Sequence, residues 1–247
     1  MAEILTSATR LTHIPLANGV LIPRLGLGTF RARDDNVRKA VLCALQCGYT
    51  HIDTASIYKN EVEIGEAVRS SGIERASLFI TSKVSPFEQG ISASFIGQVQ
   101  PNWTRKCRAI GVSNYTEKHL NELISSSEIK PMVNQVEVHP WLTQTQLRNF
   151  CNLHGIVVQA YSPLGVGSLL KDSTVQGVAS KCKRSPAQVL LRWGIQNDMV
   201  VLPKSVHQEY IVENGDIFGF SLSVEDMASL NSLDRGHHFC WSAEGVL

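Results

Sequence analysis

Short apolar runs that alternate with helix-patterned segments constrain this chain more than any other feature. LGLGTF (25–30), THIDT (50–54), LFITSKV (78–84), RAIGVS (108–113), MVNQVEV (132–138), IVVQAY (156–161) and MVVLPK (199–204) read as strands. Between them lie segments of about a dozen residues with apolar positions three and four apart. In DDNVRKAVLCALQCG, Val37, Ala40, Val41, Ala44 and Leu45 form one stripe and Gly48 stops it. A helix is expected from about residue 60 to 69, closed by Gly72. Others are expected in TEKHLNELIS with Thr116 as N-cap, in TQTQLRNFCNLHG, and in SPAQVLLRWGI with Ser185 as N-cap and Pro186 at the first helical position. The stretch between Tyr161 and Ser185 reads as a loop. A short helix near 207–213 and another in SVEDMASLNSL follow the last strand. Upstream, THIPLANGVLIP (12–23) reads as a β-hairpin around Asn18-Gly19.

Strands separated by helices demand parallel pairing through right-handed crossovers, and strands apolar on both faces demand a sheet covered on both sides. The length, 247 residues, is close to the roughly 250 of a barrel built this way. The expectation is one α/β domain over residues 1–247, a TIM (β/α)8-type barrel with an N-terminal β-hairpin. Only seven β/α strands are found where a closed barrel of this kind has eight.

Composition narrows the function. The 23 basic and 22 acidic residues leave a net charge of +1, and no block of like charge stands out, so neither nucleic acid nor an anionic membrane is an expected partner. No apolar run reaches the roughly 18 residues of a membrane helix, and MAEILTSATRL lacks the layout of a secretory signal. The six cysteines form no C-x-x-C pair. Cys43 and Cys47, four apart, fall short of a structural zinc set, so no metal is expected and a reduced, cytoplasmic chain is.

Polar residues gather where the strands end: Asp53, Lys83, Ser113 and Asn114, Gln135, Tyr161 and Ser162, Lys204 and Ser205. The carboxyl ends of the strands form the active face of such barrels. Asp53, Tyr58 and Lys83 suit carbonyl reduction, in which a phenol gives up a proton as hydride reaches carbon. An ammonium beside the phenol is expected to lower its pKa, and an aspartate to hold that ammonium charged and in place. Taken singly, each has a plainer reading: a helix cap, a loop aromatic, a surface charge.

HIDTASIYKNEVEIGEAV, LFITSKV, AIGVSNY, VNQVEVHPWL, AYSPLG and VLPKS, in this order, resemble the aldo-keto reductase family over nearly the whole chain except 85–107. The resemblance implies a (β/α)8 barrel reducing aldehydes and ketones with NADPH. It makes Tyr58 the proton donor, Lys83 its modulator and Asp53 the partner of the lysine. It places Ser113, Asn114 and Gln135 on the nicotinamide carboxamide, Tyr161 against the nicotinamide ring, and Ser162 and Leu164 on the pyrophosphate. Lys204 and Ser205 fall to the 2′-phosphate, Glu213 and Asn214 to the adenine. No G-x-G-x-x-G fingerprint is present, so a Rossmann domain is not the route. A small carbonyl compound is the expected substrate and a monomer the expected state. The short tail after FCWSAEGVL implies an open pocket, to which Phe30 contributes either lining or simple packing.

Two departures stand out. From Lys83 to Asn114 the chain offers one helical pattern, ISASFIGQVQ, and no apolar strand after it. The fourth barrel strand and a flanking helix are therefore expected to be missing, and with them the family's IHWP-like catalytic histidine. Reduction would be impaired, since one lost hydrogen-bond donor to a developing oxyanion costs about 10² to 10³ in rate. A non-catalytic nucleotide-binding or regulatory protein and a poorly folded, splice-shortened isoform stay open as alternatives. The second departure is Tyr210, which stands where the family usually has an arginine for the 2′-phosphate. Tyr210 can stack on a base but cannot pair with a phosphate, so NADH becomes a possible cofactor. The affinities for NADPH and NADH, titrated by protein fluorescence, are expected to lie within about tenfold of each other; a much larger NADPH preference contradicts this.

Overall fold

The structure, a computed structural model, describes residues 12–84 and 107–242. It opens with the expected hairpin: β1 (His13–Pro15) and β2 (Leu21–Pro23) pair antiparallel, and Gly19 supplies the left-handed φ of +82° that the turn needs. The apolar face of this hairpin, Leu16 and Ile22, packs on Val133, Val200 and Leu202. These include the first residues of two later strands, so the hairpin stoppers the amino-terminal mouth of the barrel.

Seven parallel strands follow among the described residues. β3 (Leu27–Gly28), β4 (His51–Asp53) and β5 (Phe79–Thr81) form one ladder in that order. β6 (Gly111–Ser113), β7 (Val133–Glu137), β8 (Val157–Tyr161) and β9 (Val200–Leu202) form the other. Single parallel bridges, Leu25 to Val201 and Gly28 to Lys204, join β9 back to β3. At the opposite flank no ladder connects β5 to β6 among the described residues. A side chain crosses instead: Arg108 Nη2 donates to Leu78 O at 3.0 Å, and Asn18 Nδ2 of the hairpin donates to Arg108 O at 2.7 Å. Strand burial follows this layout. β4 and β9 are buried throughout, whereas β5 and two of the three residues of β6 are only half-buried. The predicted loss of a strand and helix falls on residues 85–106, outside the described residues.

Helices cover the outer face: α1 (Asp34–Gln46), α2 (Glu61–Ser70), α3 (Glu117–Ser126), α4 (Thr145–Leu153), α5 (Ser173–Cys182), α6 (Pro186–Gln196), α7 (Gln208–Gly215) and α8 (Val224–Asn231). The stripe predicted for α1 is buried at Val37, Ala40, Val41, Ala44 and Leu45. Thr116 and Ser185 cap as expected, each completing a capping box, with His119 and Gln188 as reciprocal partners. One expectation fails. The stretch between Tyr161 and Ser185 is no loop: it holds a 3-10 segment, Gly165–Lys171, and α5. Its stripe is short and small (Val175, Val178, Ala179) and Gly177 interrupts the pattern. Asp172 nonetheless caps it, accepting from the backbone N–H of Thr174 and Val175. A cavity of about 480 Å3 lies between α2 and β5, lined by Ile64, Val68, Ile73 and Ile80 with Glu61, Arg69 and Arg75. In a regular β/α unit the helix after β5 packs on that flank.

Two glycines separate packing from propensity. A Cβ on Gly111 would stand 2.7 Å from Val133 O, a backbone atom with no room to retreat. On Gly177, in α5, it would meet nothing within 4 Å. Gly111→Ala is expected to destabilise by about 1–3 kcal/mol, and Gly177→Ala to stabilise by about 0.5–1 kcal/mol, both read by urea unfolding.

Candidate active site

The fold brings the expected residues to one mouth. Asp53, Ser113 and Tyr161 are the last residues of β4, β6 and β8, and Gln135 sits inside β7. Lys83 lies two residues beyond β5 and Lys204 two beyond β9. Gln135 apart, all therefore stand at the carboxyl ends of the strands.

At the centre, Lys83 Nζ donates to Asp53 Oδ1 at 2.7 Å and to Thr54 O at 2.8 Å. Gln135 Nε2 donates to the same Asp53 oxygen at 2.7 Å. Asp53 is 4% exposed, so its charge is held by these donors rather than by water. The Tyr58 ring centre lies 5.4 Å from Lys83 Nζ. Tyr58 occupies a single 3-10 turn, Ser56–Tyr58, whose first N–H donates to Lys83 O at 3.0 Å. Asn60, 1% exposed, ties that turn to the neighbouring loop: it accepts from Thr54 Oγ1 and donates to Thr29 O and Ala32 O. Asn60 escaped the sequence reading. Its only signal is an amide placed just before an apolar helical stripe.

The expected lowering of the Tyr58 pKa is not what this arrangement produces. Burial, and after it the Asp53 charge, push the phenol above its ordinary value. The ammonium itself is committed to Asp53 Oδ1 and Thr54 O. The phenol stays protonated at neutral pH, the state a proton donor requires. Phe30, half exposed at 53%, packs its ring 5.1 Å from that of Tyr58.

The residues implied for the cofactor are also brought together, several already engaged. Ser113 Oγ donates to Gln135 O at 3.0 Å, and Tyr161 Oη donates to Asn114 Oδ1 at 3.0 Å. Asn114 and Ser162 hold left-handed backbones, φ 60° and 49°, a strain that collects at ligand-binding loops. Leu164 is half-buried in the same loop, ahead of Gly165. Ser162 Oγ lies 3.4 Å from Cys240 Sγ. Lys204 is exposed and pairs with no carboxylate among the described residues. It precedes the N-terminus of α7, where no side chain caps the helix. Ser205 is buried and accepts from the His207 N–H at 3.1 Å. Glu213 turns inward, accepting from Ser185 Oγ at the start of α6, and Asn214 is buried at 4%. Tyr210 is exposed, its ring edge-on to His207.

Glu137, at the end of β7, holds the tail. Its carboxylate accepts from His139 Nε2 at 3.0 Å and from the backbone N–H of Phe239 and Cys240 at 2.9 and 3.1 Å. Burial pushes its pKa up, but these donors outweigh burial and leave it below the usual range. Phe239 and Cys240 are therefore tied to the carboxyl end of β7. Cys43 is buried and Cys47 exposed, and no cluster of three or more metal-ligating side chains occurs among the described residues. No helix among them is long and apolar enough to cross a membrane.

The sequence matches the Aldo/keto reductase family over residues 24–99 and 105–235. The chain belongs to the aldo-keto reductase family. Its fold is that family's TIM barrel and its class is oxidoreductase. It is 40% identical to the glyoxal reductase of Bacillus subtilis (strain 168), over 90% of this chain and 92% of that protein. It is 38% identical to the 9,11-endoperoxide prostaglandin H2 reductase of Trypanosoma cruzi (strain CL Brener), over 90% and 91%. Among solved structures, an aldo-keto reductase from a Medee basin deep-sea metagenome library superposes with a TM-score of 0.89 at 34% identity, over 94% of this chain and 99% of that one. The match to glyoxal reductase runs over 255 positions yet uses only 90% of the 247 residues here. That relative therefore carries positions with no counterpart in this chain.

The Asp53–Lys83 pair gives a measurable test of the site's electrostatics. Lys83→Met leaves a buried carboxylate with Gln135 as its remaining side-chain donor. The variant is expected to lose on the order of 3 kcal/mol of stability. Asp53→Asn combined with Lys83→Met is expected to recover part of that loss, as read from denaturant midpoints.

Proposed function

We propose that the chain reduces small aldehydes and ketones with NAD(P)H, Tyr58 acting as proton donor. The observation that carries this reading is the Lys83 ammonium, 2.7 Å from Asp53 Oδ1 and 5.4 Å from the centre of the Tyr58 ring. The donor set suits a nicotinamide dinucleotide. Ser113 and Asn114 at the end of β6 and Gln135 inside β7 offer hydroxyl and amide groups on two adjacent strands, and Tyr161 at the end of β8 offers a ring beside them. Lys204 with the uncapped α7 terminus suits a phosphate. When bound, the nicotinamide supplies the hydride.

The chain's own residues do the rest. Phe30 and Tyr58 form an aromatic wall that keeps water from one side of the reacting carbonyl. Burial keeps the Tyr58 phenol protonated, so it stands loaded as hydride reaches carbon, and the oxygen that becomes an alkoxide is basic enough to take its proton. Asp53 holds Lys83 against that phenol, where the ammonium steadies the phenolate left behind. The IHWP-like histidine of the family has no counterpart in the sequence. The carbonyl oxygen therefore lacks one donor, and turnover is set lower by about 10² to 10³. The glyoxal reductase relative makes glyoxal the first substrate to try, and NADPH, with NADH in parallel, the first reductant.

The test follows NADPH oxidation by the purified chain with glyoxal. Slow but saturable turnover is expected, with Tyr58→Phe losing it while still binding NADPH by fluorescence. NADPH binding without turnover would favour a non-catalytic nucleotide-binding protein instead. Turnover that persists in Tyr58→Phe would remove the phenol from its role.

A further inference from the structure

Asp53 is the end of a longer chain of buried polar groups. Gln135 Nε2, which donates to Asp53 Oδ1, also lies 2.9 Å from Gln159 Oε1. Gln159 Nε2 lies 3.4 Å from His51 Nε2. His51 Nε2 is 3.1 Å from Thr81 Oγ1, and His51 Nδ1 is 3.2 Å from Pro23 O. The strands impose the geometry: Gln135 and Gln159 are register partners on β7 and β8, their side chains meet, and Gln135 reaches on to Asp53. His51 and Gln159 are 0% and 1% exposed.

Each link has one allowed direction. Pro23 O can only accept, so His51 Nδ1 carries the hydrogen. Burial pushes the His51 pKa down to about 4, so the ring is neutral and Nε2 is bare, able only to accept. Gln159 must then turn its NH2 to His51 and its oxygen to Gln135. At the other end the Asp53 carboxylate can only accept, so Gln135 must turn its NH2 toward it. Both ends demand the same orientation of both amides. A flip of either glutamine would set oxygen against oxygen or hydrogen against hydrogen in a dry interior.

We propose that Gln159 is a positioning residue for the Asp53–Lys83 pair: anchored by His51, it holds the Gln135 amide so that Gln135 aims Asp53 Oδ1 at the Lys83 ammonium. The assignment rests on the reading of Asp53, Tyr58 and Lys83 as the carbonyl-reducing site. Gln159 touches neither Lys83 nor Tyr58. It acts through Gln135, whose two amide hydrogens are both committed, one to Asp53 and one to Gln159.

The test replaces Gln159 by Leu, which keeps the bulk and removes both polar groups. In the folded Gln159→Leu variant, kcat for glyoxal at saturating NADPH is expected to fall about tenfold with KM within about twofold. A Gln135→Leu and Gln159→Leu double variant is expected to be no slower than Gln135→Leu alone, because the two act in series. The Lys83 15Nζ NMR resonance is expected to shift in Gln159→Leu, a readout that needs no turnover. An unchanged kcat with an unmoved Lys83 resonance overturns the proposal, and so do losses that multiply in the double variant. Should the parent chain show no turnover, the carbonyl-reductase reading fails, and the Lys83 resonance alone decides this one: a shift upholds it and no shift rejects it. Should Gln159→Leu give no cooperative thermal transition, Gln159→Met is read in its place.

Discussion

One carboxylate oxygen joins the two halves of this barrel from within. Asp53 ends a strand of the three-stranded ladder, and its Oδ1 receives Gln135 from the four-stranded ladder while also receiving Lys83. Both donors approach to 2.7 Å in a site with almost no water contact. A buried charge of this kind is tolerable only while its partners stay in place. The positions of Lys83, of the turn carrying Tyr58 and of the amides at the neighbouring strand ends therefore all depend on it.

Much of the architecture was legible because period and punctuation agree. The α1 stripe, the caps at Thr116 and Ser185, Pro186 at a helix start and Asn18-Gly19 in a hairpin each state a local geometry that the tertiary structure leaves alone. The α5 helix was not legible, since Val175, Val178 and Ala179 bury too little to print a strong period and Gly177 breaks it. In the site, residues at strand ends could be read from position along the chain. Asn60 and Gln159 could not. Each is a single amide most of whose partners lie 24 to 108 residues away, and no local pattern encodes such a distance.

The electrostatics show a similar division. Sequence alone places an ammonium near a phenol and predicts a lowered pKa. The structure commits that ammonium to Asp53, and burial, with the Asp53 charge after it, raises the phenol instead. In the role proposed for it, such a phenol is always loaded but slow to release its proton. A hydrogen-bond donor on the carbonyl oxygen would ease that release, and the sequence lacks the family's histidine for that task.

The flank between β5 and β6 carries a geometric consequence. A cylinder sewn shut by backbone pairing must return to its own register after one circuit, which fixes strand tilt and radius together. Among the described residues that circuit is interrupted, and the two edges meet through one guanidinium reaching a carbonyl, Arg108 to Leu78. A long, jointed side chain enforces no register. Among the described residues, register therefore passes between the two ladders only on the other side, through the bridges that join β9 to β3.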